Sequence, residues 1–219
     1  FGTKDYFVSV IKASIYKEIP NANVVDISNS ISPFNHSEAA YVLKNAYKAF
    51  PKKSIHIVGV DSEFSPENKH LLMSFDGHYF IGANNGIFSL LLEGRKYDKL
   101  VEINIHDVSV SSFPVLDVFV KVAGHLSRKG SVEVVGIKTK ELKEIINVNP
   151  VFNESKTQLI GSVIYIDNFG NVVTNIKKKY FLEIQKSRNF IIYANSVKFQ
   201  KIYNSYSQAI DFSIPKVKR

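Results

Sequence analysis

The chain has 219 residues, no Cys, and 28 Lys and Arg against 20 Asp and Glu, which gives a net charge of +8. A chain of this length can bury one large or two modest hydrophobic cores, and without Cys it has neither a disulfide framework nor thiolate chemistry. No apolar run is long enough to span a bilayer and no secretory leader is visible, which predicts a soluble cytoplasmic protein.

The first 150 residues alternate helical and strand patterns. The apolar spacing predicts helices over 6–18, 36–50, 87–93 and 115–127, and strands over 24–27, 54–60, 71–75, 78–81 and 100–105. Asn35, with Glu38 three residues later, is typical of a capping box. Asp76-Gly77 predicts a tight hairpin turn. The alternation predicts an α/β N-terminal domain over 1–150, with a mostly parallel sheet sandwiched by helices.

Beyond a polar connection over 147–157, strand patterns dominate. They predict strands over 158–166, 172–176, 190–194 and 209–212, with one helix over 179–186. We therefore expect a small antiparallel, barrel-like β domain over 151–219. This part holds 11 Lys and Arg against 4 Asp and Glu. Such asymmetry indicates a possible anionic partner, but no nucleic-acid module accompanies it, and we interpret the lysines at 177–179 as the start of a solvated helix.

The densest group of polar side chains lies between the strands predicted over 158–166 and 172–176. Asp167, Asn168 and Asn171 surround Phe169, and Gly170 can adopt the positive φ of a short turn. A carboxylate, amides and an aromatic face on a stiff hairpin suit a ligand with an amine and an apolar or cationic body. The alternative is an ordinary hairpin in which the Asx side chains satisfy their own backbone.

Several further motifs accompany this hairpin in a fixed order. They are Phe-Gly-Thr-Lys-Asp at 1–5, Val-Asp-Ile-Ser at 25–28, Ile-Ser-Pro-Phe at 31–34 and Gly-His-Tyr-Phe-Ile-Gly-Ala-Asn-Asn-Gly at 77–86. Together with the Phe-Gly-Asn hairpin, they resemble the S-adenosylmethionine hydroxide adenosyltransferase (DUF62) family, the relatives of the fluorinating and chlorinating enzymes. The resemblance runs from residue 1 to about residue 176. It implies an α/β domain followed by a small β domain, and a homotrimer with a small-molecule nucleoside ligand bound between subunits.

The activity that the resemblance implies is hydrolysis of S-adenosylmethionine to adenosine and methionine, with water attacking the ribose C5′. In the family an Asp, an Arg and a His hold that water. The Asp falls on Asp61 here, but the Arg falls on Asn68 and the His falls on Pro114. Lys69 is the nearest cation to the Arg position, although it lacks the planar fork of Arg. The implied catalytic residues are therefore Asp61 and Lys69.

The resemblance also implies a set of substrate-binding residues: Asp5, Phe113, Asp167, Phe169 and Asn171. Asp5 is alternatively the N-cap of the helix that starts at Tyr6. Pro114 is interpreted as the residue that opens a helix. His36, His56, His78, His106 and His125 lack metal-ligand spacing, and no Gly-rich phosphate loop is present. We therefore expect no metal and no cofactor other than S-adenosylmethionine itself as substrate or ligand.

Three functional hypotheses follow from these residues. The first is an S-adenosylmethionine hydrolase. The second is a catalytically impaired member of the family that binds adenosine or S-adenosylmethionine without turnover, because Asn68 and Pro114 stand at the Arg and His positions. The third is an anion-binding scaffold that uses the basic C-terminal domain, with strongly salt-dependent association.

Overall fold

The structure is a computed structural model that describes residues 1–105, 111–145 and 149–210, and its chain forms two compact units. Unit 1 comprises Phe1–Asn147 together with Ile164–Val172. Unit 2 comprises Val148–Val163 together with Val173–Arg219. No helix within the described ranges has both the length and the apolar character needed to cross a lipid bilayer.

Unit 1 is built from helices on a five-stranded sheet. Its helices are α1 (Phe7–Glu18), α2 (His36–Ala46), α3 (Ile87–Leu92) and α4 (Val120–Ser127). Its sheet strands are β1 (Ile55–Ile57), β2 (His70–Phe75), β3 (His78–Ala83), β4 (Lys99–Ile103) and β5 (Gly136–Lys138). Short 3₁₀ turns lie at Tyr47–Ala49 and Val132–Val135, and a π-helical segment, Val115–Phe119, leads into α4.

The strands lie in the order β1-β3-β2-β4-β5, and most of their pairings are antiparallel. Only β1 and β3 pair in parallel, whereas β2 pairs antiparallel with both β3 and β4, and β4 pairs antiparallel with β5. The prediction of a mostly parallel sheet is therefore wrong. The reason is the Asp76-Gly77 turn: both residues have positive φ, as a two-residue hairpin requires, and the turn forces β2 and β3 to run in opposite directions.

Helices cover both faces of this sheet, as expected for a sandwiched sheet. Leu71, Met73 and Phe80 pack with residues of α2 and α3 on one face. Leu72 and Ile81 point to the other face and pack with residues of α4 and the π-helical segment. The alternation follows from the two-residue period of a strand, which sends neighbouring side chains to opposite faces.

The start of α2 confirms half of the predicted capping box. The side-chain oxygen of Asn35 accepts a hydrogen bond from the Glu38 amide at 3.0 Å, so Asn35 is the N-cap. The Glu38 carboxylate does not return to the Asn35 amide. It accepts instead from the backbone amide of Ser32 at 3.1 Å, which fixes the chain that leads into the helix.

The strand predicted over 24–27 does not form. A strand requires a neighbour that accepts its backbone hydrogen bonds, and these residues have none within the described part of the chain. They line instead a cavity of about 1050 Å³, together with Ile55 and Ile57 of the edge strand β1. Helix α1 borders the same cavity and has no fully buried residue, although its Ile11 packs against the core.

Unit 2 and the connecting hairpin consist of short elements. These are β6 (Val151–Phe152), β7 (Leu159–Ile160), β8 (Val163–Ile166), β9 (Val172–Thr174), α5 (Lys178–Gln185), β10 (Ile192–Ala194), β11 (Val197–Phe199) and α6 (Tyr206–Ala209). The strands pair as three separate ribbons, β6–β7, β8–β9 and β10–β11.

The expected barrel is not found: the described residues contain no closed sheet. The predicted continuous strand over 158–166 is interrupted at residues 161–162, so β7 and β8 pair with different partners. The predicted strand over 209–212 is not observed either, since Ala209 ends α6 and residues 211–212 lie outside the described residues. The helix predicted over 179–186 is confirmed as α5.

A buried histidine pair lies where β1 meets β3. His56 Nε2 is 3.3 Å from His78 Nδ1, and both residues are almost fully buried. Burial, with a contribution from the neighbouring His78, lowers the pKa of His56 to about 4. The Tyr47 ring packs edge-on against both imidazoles, and its hydroxyl donates to Asp76 at 3.1 Å. The fold therefore favours the neutral form of His56.

The pH dependence of stability follows from this pair. Because the folded pKa of His56 lies below its unfolded value of 6.5, its contribution is fully present above pH 6.5 and is lost as the pH falls toward 4. We expect the free energy of unfolding, measured with urea, to drop by about 1–2 kcal/mol between pH 7.5 and pH 5 through His56. The His56→Gln variant should show a smaller drop; an equal drop in both proteins would contradict this.

Candidate active site

The loop that follows β1 is held by the side chain of Asn85. Asn85 is 2% exposed, and its amide nitrogen donates to the carbonyl oxygens of Val60 at 2.8 Å and Asp61 at 3.1 Å. Its oxygen accepts from the Ile87 amide at the start of α3. Asp61 has a φ of +47°, which is uncommon for a residue with a side chain. The Asn85 hydrogen bonds therefore hold a strained turn that presents the Asp61 carboxylate.

Asn68, which stands at the family's Arg position, is a second clamp of this loop. Its amide nitrogen donates to the carbonyls of Asp61 at 3.2 Å and Glu63 at 2.8 Å. The backbone amide of Asn68 donates to the Ser65 hydroxyl at 3.0 Å and to the Ser65 carbonyl at 3.1 Å. The side-chain oxygen of Asn68 is buried and has no hydrogen-bond partner. Asn68 thus secures the backbone around Asp61 and carries no positive charge to replace that of an Arg.

Asp61 pairs with a histidine that the sequence reasoning did not select. His36 Nε2 lies 2.9 Å from Asp61 Oδ2, and the two side chains are 24% and 28% exposed. His36 is the first residue of α2, directly after the N-cap Asn35. The other carboxylate oxygen of Asp61, Oδ1, hydrogen-bonds to no residue in the described part of the chain. The pair therefore leaves one acceptor oxygen of Asp61 available.

Asp61 also lines the large cavity of unit 1. Asp26, Ser28 and Ser32 line the same cavity, whose remaining walls are mainly apolar. Asp26 is paired with Lys12 at 2.5 Å, and this contact lowers the pKa of the Asp26 carboxyl. A mainly apolar cavity with a few polar side chains is the usual character of a small-molecule site.

Lys69, the expected substitute for the family Arg, is engaged elsewhere. Its ammonium lies 3.3 Å from Glu102 Oε1 and 5.6 Å from the centre of the Phe64 ring. Neither contact brings it to Asp61. The next residue, His70, is fully buried; its Nε2 bonds the Ser62 carbonyl, and burial lowers its pKa.

Pro114 opens the π-helical segment, as the sequence indicated. The carbonyl of Phe113 accepts from the amides of Leu116 and Asp117, and the Ser111 hydroxyl donates to the Asp117 carboxylate at 2.7 Å. Phe113 itself packs on Phe1, with ring centres 5.4 Å apart, and on Phe7, with ring centres 5.6 Å apart. Phe113 is thus part of an aromatic cluster between the start of the chain and the helix.

The hairpin tip between β8 and β9 satisfies its own backbone. Asp167 Oδ1 accepts from the amides of Phe169 and Asn171, both at 2.9 Å, and Oδ2 accepts from the Asn171 side chain at 2.7 Å. These bonds, with that from the Asn171 side chain foremost, lower the pKa of Asp167. Phe169 is 89% exposed. This is the geometry of the ordinary Asx hairpin, and the substrate-binding role of Asp167, Phe169 and Asn171 stays a prediction.

Of the residues predicted from the sequence, the structure places only Asp61 at the cavity. Asp5 is exposed, and its alternative role as N-cap is wrong, because the cap position is occupied by Tyr6 and no side chain caps α1. Among the described residues no three His, Asp or Glu side chains are grouped as a metal site, and His106 lies outside them. The sequence patterns did not indicate His36 or Asn85, because the hydrogen-bond partners of each lie more than 20 residues away in the chain.

The Asn85 clamp predicts a stability effect. In Asn85→Ala the Val60 carbonyl loses its side-chain donor, while the Asp61 carbonyl keeps the one from Asn68, and we expect the free energy of unfolding to fall by about 1–3 kcal/mol. The matched control is Asn45→Ala, which removes only a bond to the Tyr41 carbonyl within α2 and should change stability by less than about 0.5 kcal/mol. Equal effects in urea unfolding would exclude a special role for Asn85.

Comparison with known proteins gives matches over most of the chain. The models of the SAM hydroxide adenosyltransferase N-terminal and C-terminal domains match residues 1–136 and 161–211. An (R)-S-adenosyl-L-methionine hydrolase of Methanocaldococcus jannaschii is 31% identical over 217 residues, with 93% of this chain and 77% of that protein covered. A fluorinase of Actinopolyspora mzabensis is 22% identical, with 81% and 69% covered.

A solved structure is also similar. The crystal structure of an uncharacterized conserved protein from Thermotoga maritima superposes with a TM-score of 0.82 at 28% identity, covering 96% of this chain and 82% of that one. This similarity extends the sequence match to the three-dimensional fold. The chain belongs to the SAM hydroxide adenosyltransferase family.

Proposed function

We propose that this chain hydrolyses S-adenosyl-L-methionine to adenosine and L-methionine. The observation that carries the proposal is the 31% identity, over 93% of the chain, to a protein named (R)-S-adenosyl-L-methionine hydrolase. Membership of the family supports the same reaction. The name of that relative also suggests the R configuration at sulfur for the substrate.

The reaction is a displacement at the ribose C5′. The oxygen of water forms a bond to C5′ while the bond from C5′ to the sulfonium breaks, and the electron pair of that bond passes to sulfur. Methionine leaves as a neutral thioether, and the water loses one proton to a base. Because the sulfonium is already a good leaving group, the protein has to position the water, exclude competing solvent and accept that proton.

Asp61 is the group that we assign to this base. Its backbone is fixed by Asn85 and Asn68, it borders the cavity, and Oδ1 is not used by another described residue. A carboxylate held in this way can accept a hydrogen bond from water and then its proton. Lys69 remains a candidate for the cationic partner, but its pairing with Glu102 argues for a structural role.

The other predicted residues belong to the finer part of the proposal. Asp5 and Asp167 would bind the methionine end, Asn171 the ribose, and Phe113 and Phe169 the apolar surroundings of the sulfonium. A homotrimer with sites between subunits would bring Asp5 and Phe113 of one subunit close to Asp167 and Asn171 of a neighbour.

The second candidate function is binding without turnover. It is motivated by Asn68 and Pro114. The side-chain amide of Asn68 donates its hydrogen bonds to the loop backbone, and Pro114 has no side-chain donor. A positioned acid or base group contributes about 10²–10⁴ in rate, so the loss of two family groups predicts a slow enzyme. Calorimetry with adenosine distinguishes the two candidate functions. Binding of adenosine by a protein that forms no product supports binding without turnover, and no binding at all excludes both candidate functions.

The hydrolysis proposal is tested by incubating the full chain with S-adenosylmethionine and measuring adenosine by chromatography. We expect adenosine and methionine in equal amounts, and a loss of about 100-fold in kcat for Asp61→Asn, because an amide cannot accept the proton. Asp98→Asn, a change of an exposed Asp away from the cavity, is the matched control and should keep full activity. Absence of adenosine after long incubation at high protein concentration would exclude the enzyme.

A further inference from the structure

The His36–Asp61 pair supplies an ionisable partner that the family resemblance does not. The Arg and His positions of the family are Asn68 and Pro114 here, and neither residue can share a proton with Asp61. The described side chain that does contact the Asp61 carboxylate is His36, at 2.9 Å. We propose that His36 is the positioning residue for proton transfer in this chain: it holds Asp61 Oδ2, so that Oδ1 faces the water and takes its proton. This inference rests on the proposed hydrolysis.

Both members of the pair stand on fixed backbone. His36 begins α2, and its position is set by the Asn35 cap and by the Glu38 contact to Ser32. Asp61 is set by the amide groups of Asn85 and Asn68. Because both backbone segments are fixed, the hydrogen bond from His36 fixes the rotation of the Asp61 carboxylate. With Oδ2 held in this way, Oδ1 points in a defined direction.

Other ionisable groups of the neighbouring elements contact partners other than Asp61. From α1, from α2 and from the loop that leads from β1 into β2, Lys12 pairs with Asp26, Lys69 pairs with Glu102, Glu38 accepts from the Ser32 amide, and His70 bonds the Ser62 carbonyl. Glu63 and Glu67 also lie in that loop. The step balances as follows: Asp61 Oδ1 takes one proton from the water while the water oxygen bonds to C5′ and the bond from C5′ to sulfur breaks. His36 Nε2–H stays hydrogen-bonded to Oδ2, and the release of the proton from Asp61 to solvent restores the starting state.

The test compares kcat and KM for S-adenosylmethionine in the unaltered chain and in three variants. His36→Leu removes the donor, and we expect kcat to fall about 10- to 100-fold with KM changed less than about threefold. His36→Gln keeps an N–H donor at the place of Nε2 and should recover most of kcat. His125→Gln is the control, because the His125 side chain does not line the cavity and bonds the Ser131 carbonyl, and this variant should match the unaltered chain.

A second readout does not depend on turnover. Nitrogen NMR of the imidazole in the full chain should show His36 with its proton on Nε2, hydrogen-bonded to Asp61 Oδ2, and Asp61→Asn should change the nitrogen signals of this ring. An unchanged kcat in His36→Leu, or imidazole signals of His36 that do not respond to Asp61→Asn, overturns the inference while hydrolysis stands. If the NMR signature is present but no adenosine forms, the proposed function fails, and the assignment of His36 to proton transfer fails with it.

Discussion

The turn at the end of β1 is the constraint on which the candidate site depends. Its carbonyls at residues 60 and 61 point into the protein, and Asn85 and Asn68 are the side chains that satisfy them. Buried carbonyls without donors are costly, and Asp61 adopts a left-handed backbone that is stable only when its surroundings enforce it. The side-chain amides of Asn85 and Asn68, which stabilise the turn, therefore also orient the Asp61 carboxylate. Stability and the geometry needed for chemistry depend here on the same hydrogen bonds.

Local signals in the sequence predicted the helices and turns better than they predicted which strands pair with each other. The Asn35 cap, the Asp76-Gly77 turn and helix α5 depend on residues close in sequence, and each is found as expected. Strand direction depends on which strands become neighbours, and the apolar pattern is the same for parallel and antiparallel pairing. The segment over 24–27 has the composition of a strand, yet no strand among the described residues pairs with it, and composition alone does not show which segments find a partner.

The site divides in the same way. Asp61 was found because a strand-end carboxylate is a local feature that also matched a family motif. His36 could not be found from its own neighbourhood, since it is 25 residues away from Asp61 and its spacing matches no motif. The hairpin residues Asp167 and Asn171 were selected for their polar groups, but those groups bond to each other and to their own turn. Polar side chains near a reversal satisfy that reversal first, because the contact costs little chain entropy.

The central claim is that Asp61 lies at the reacting carbon of the substrate. The most direct test is a crystal structure of the full chain with adenosine, whose 5′-hydroxyl oxygen is the atom that water supplies. We expect the 5′-hydroxyl oxygen of adenosine to lie within about 3.2 Å of Asp61 Oδ1, with His36 still hydrogen-bonded to Oδ2. Adenosine bound with its 5′-hydroxyl turned away from Asp61, or bound only at sites that Asp61 does not reach, would contradict it.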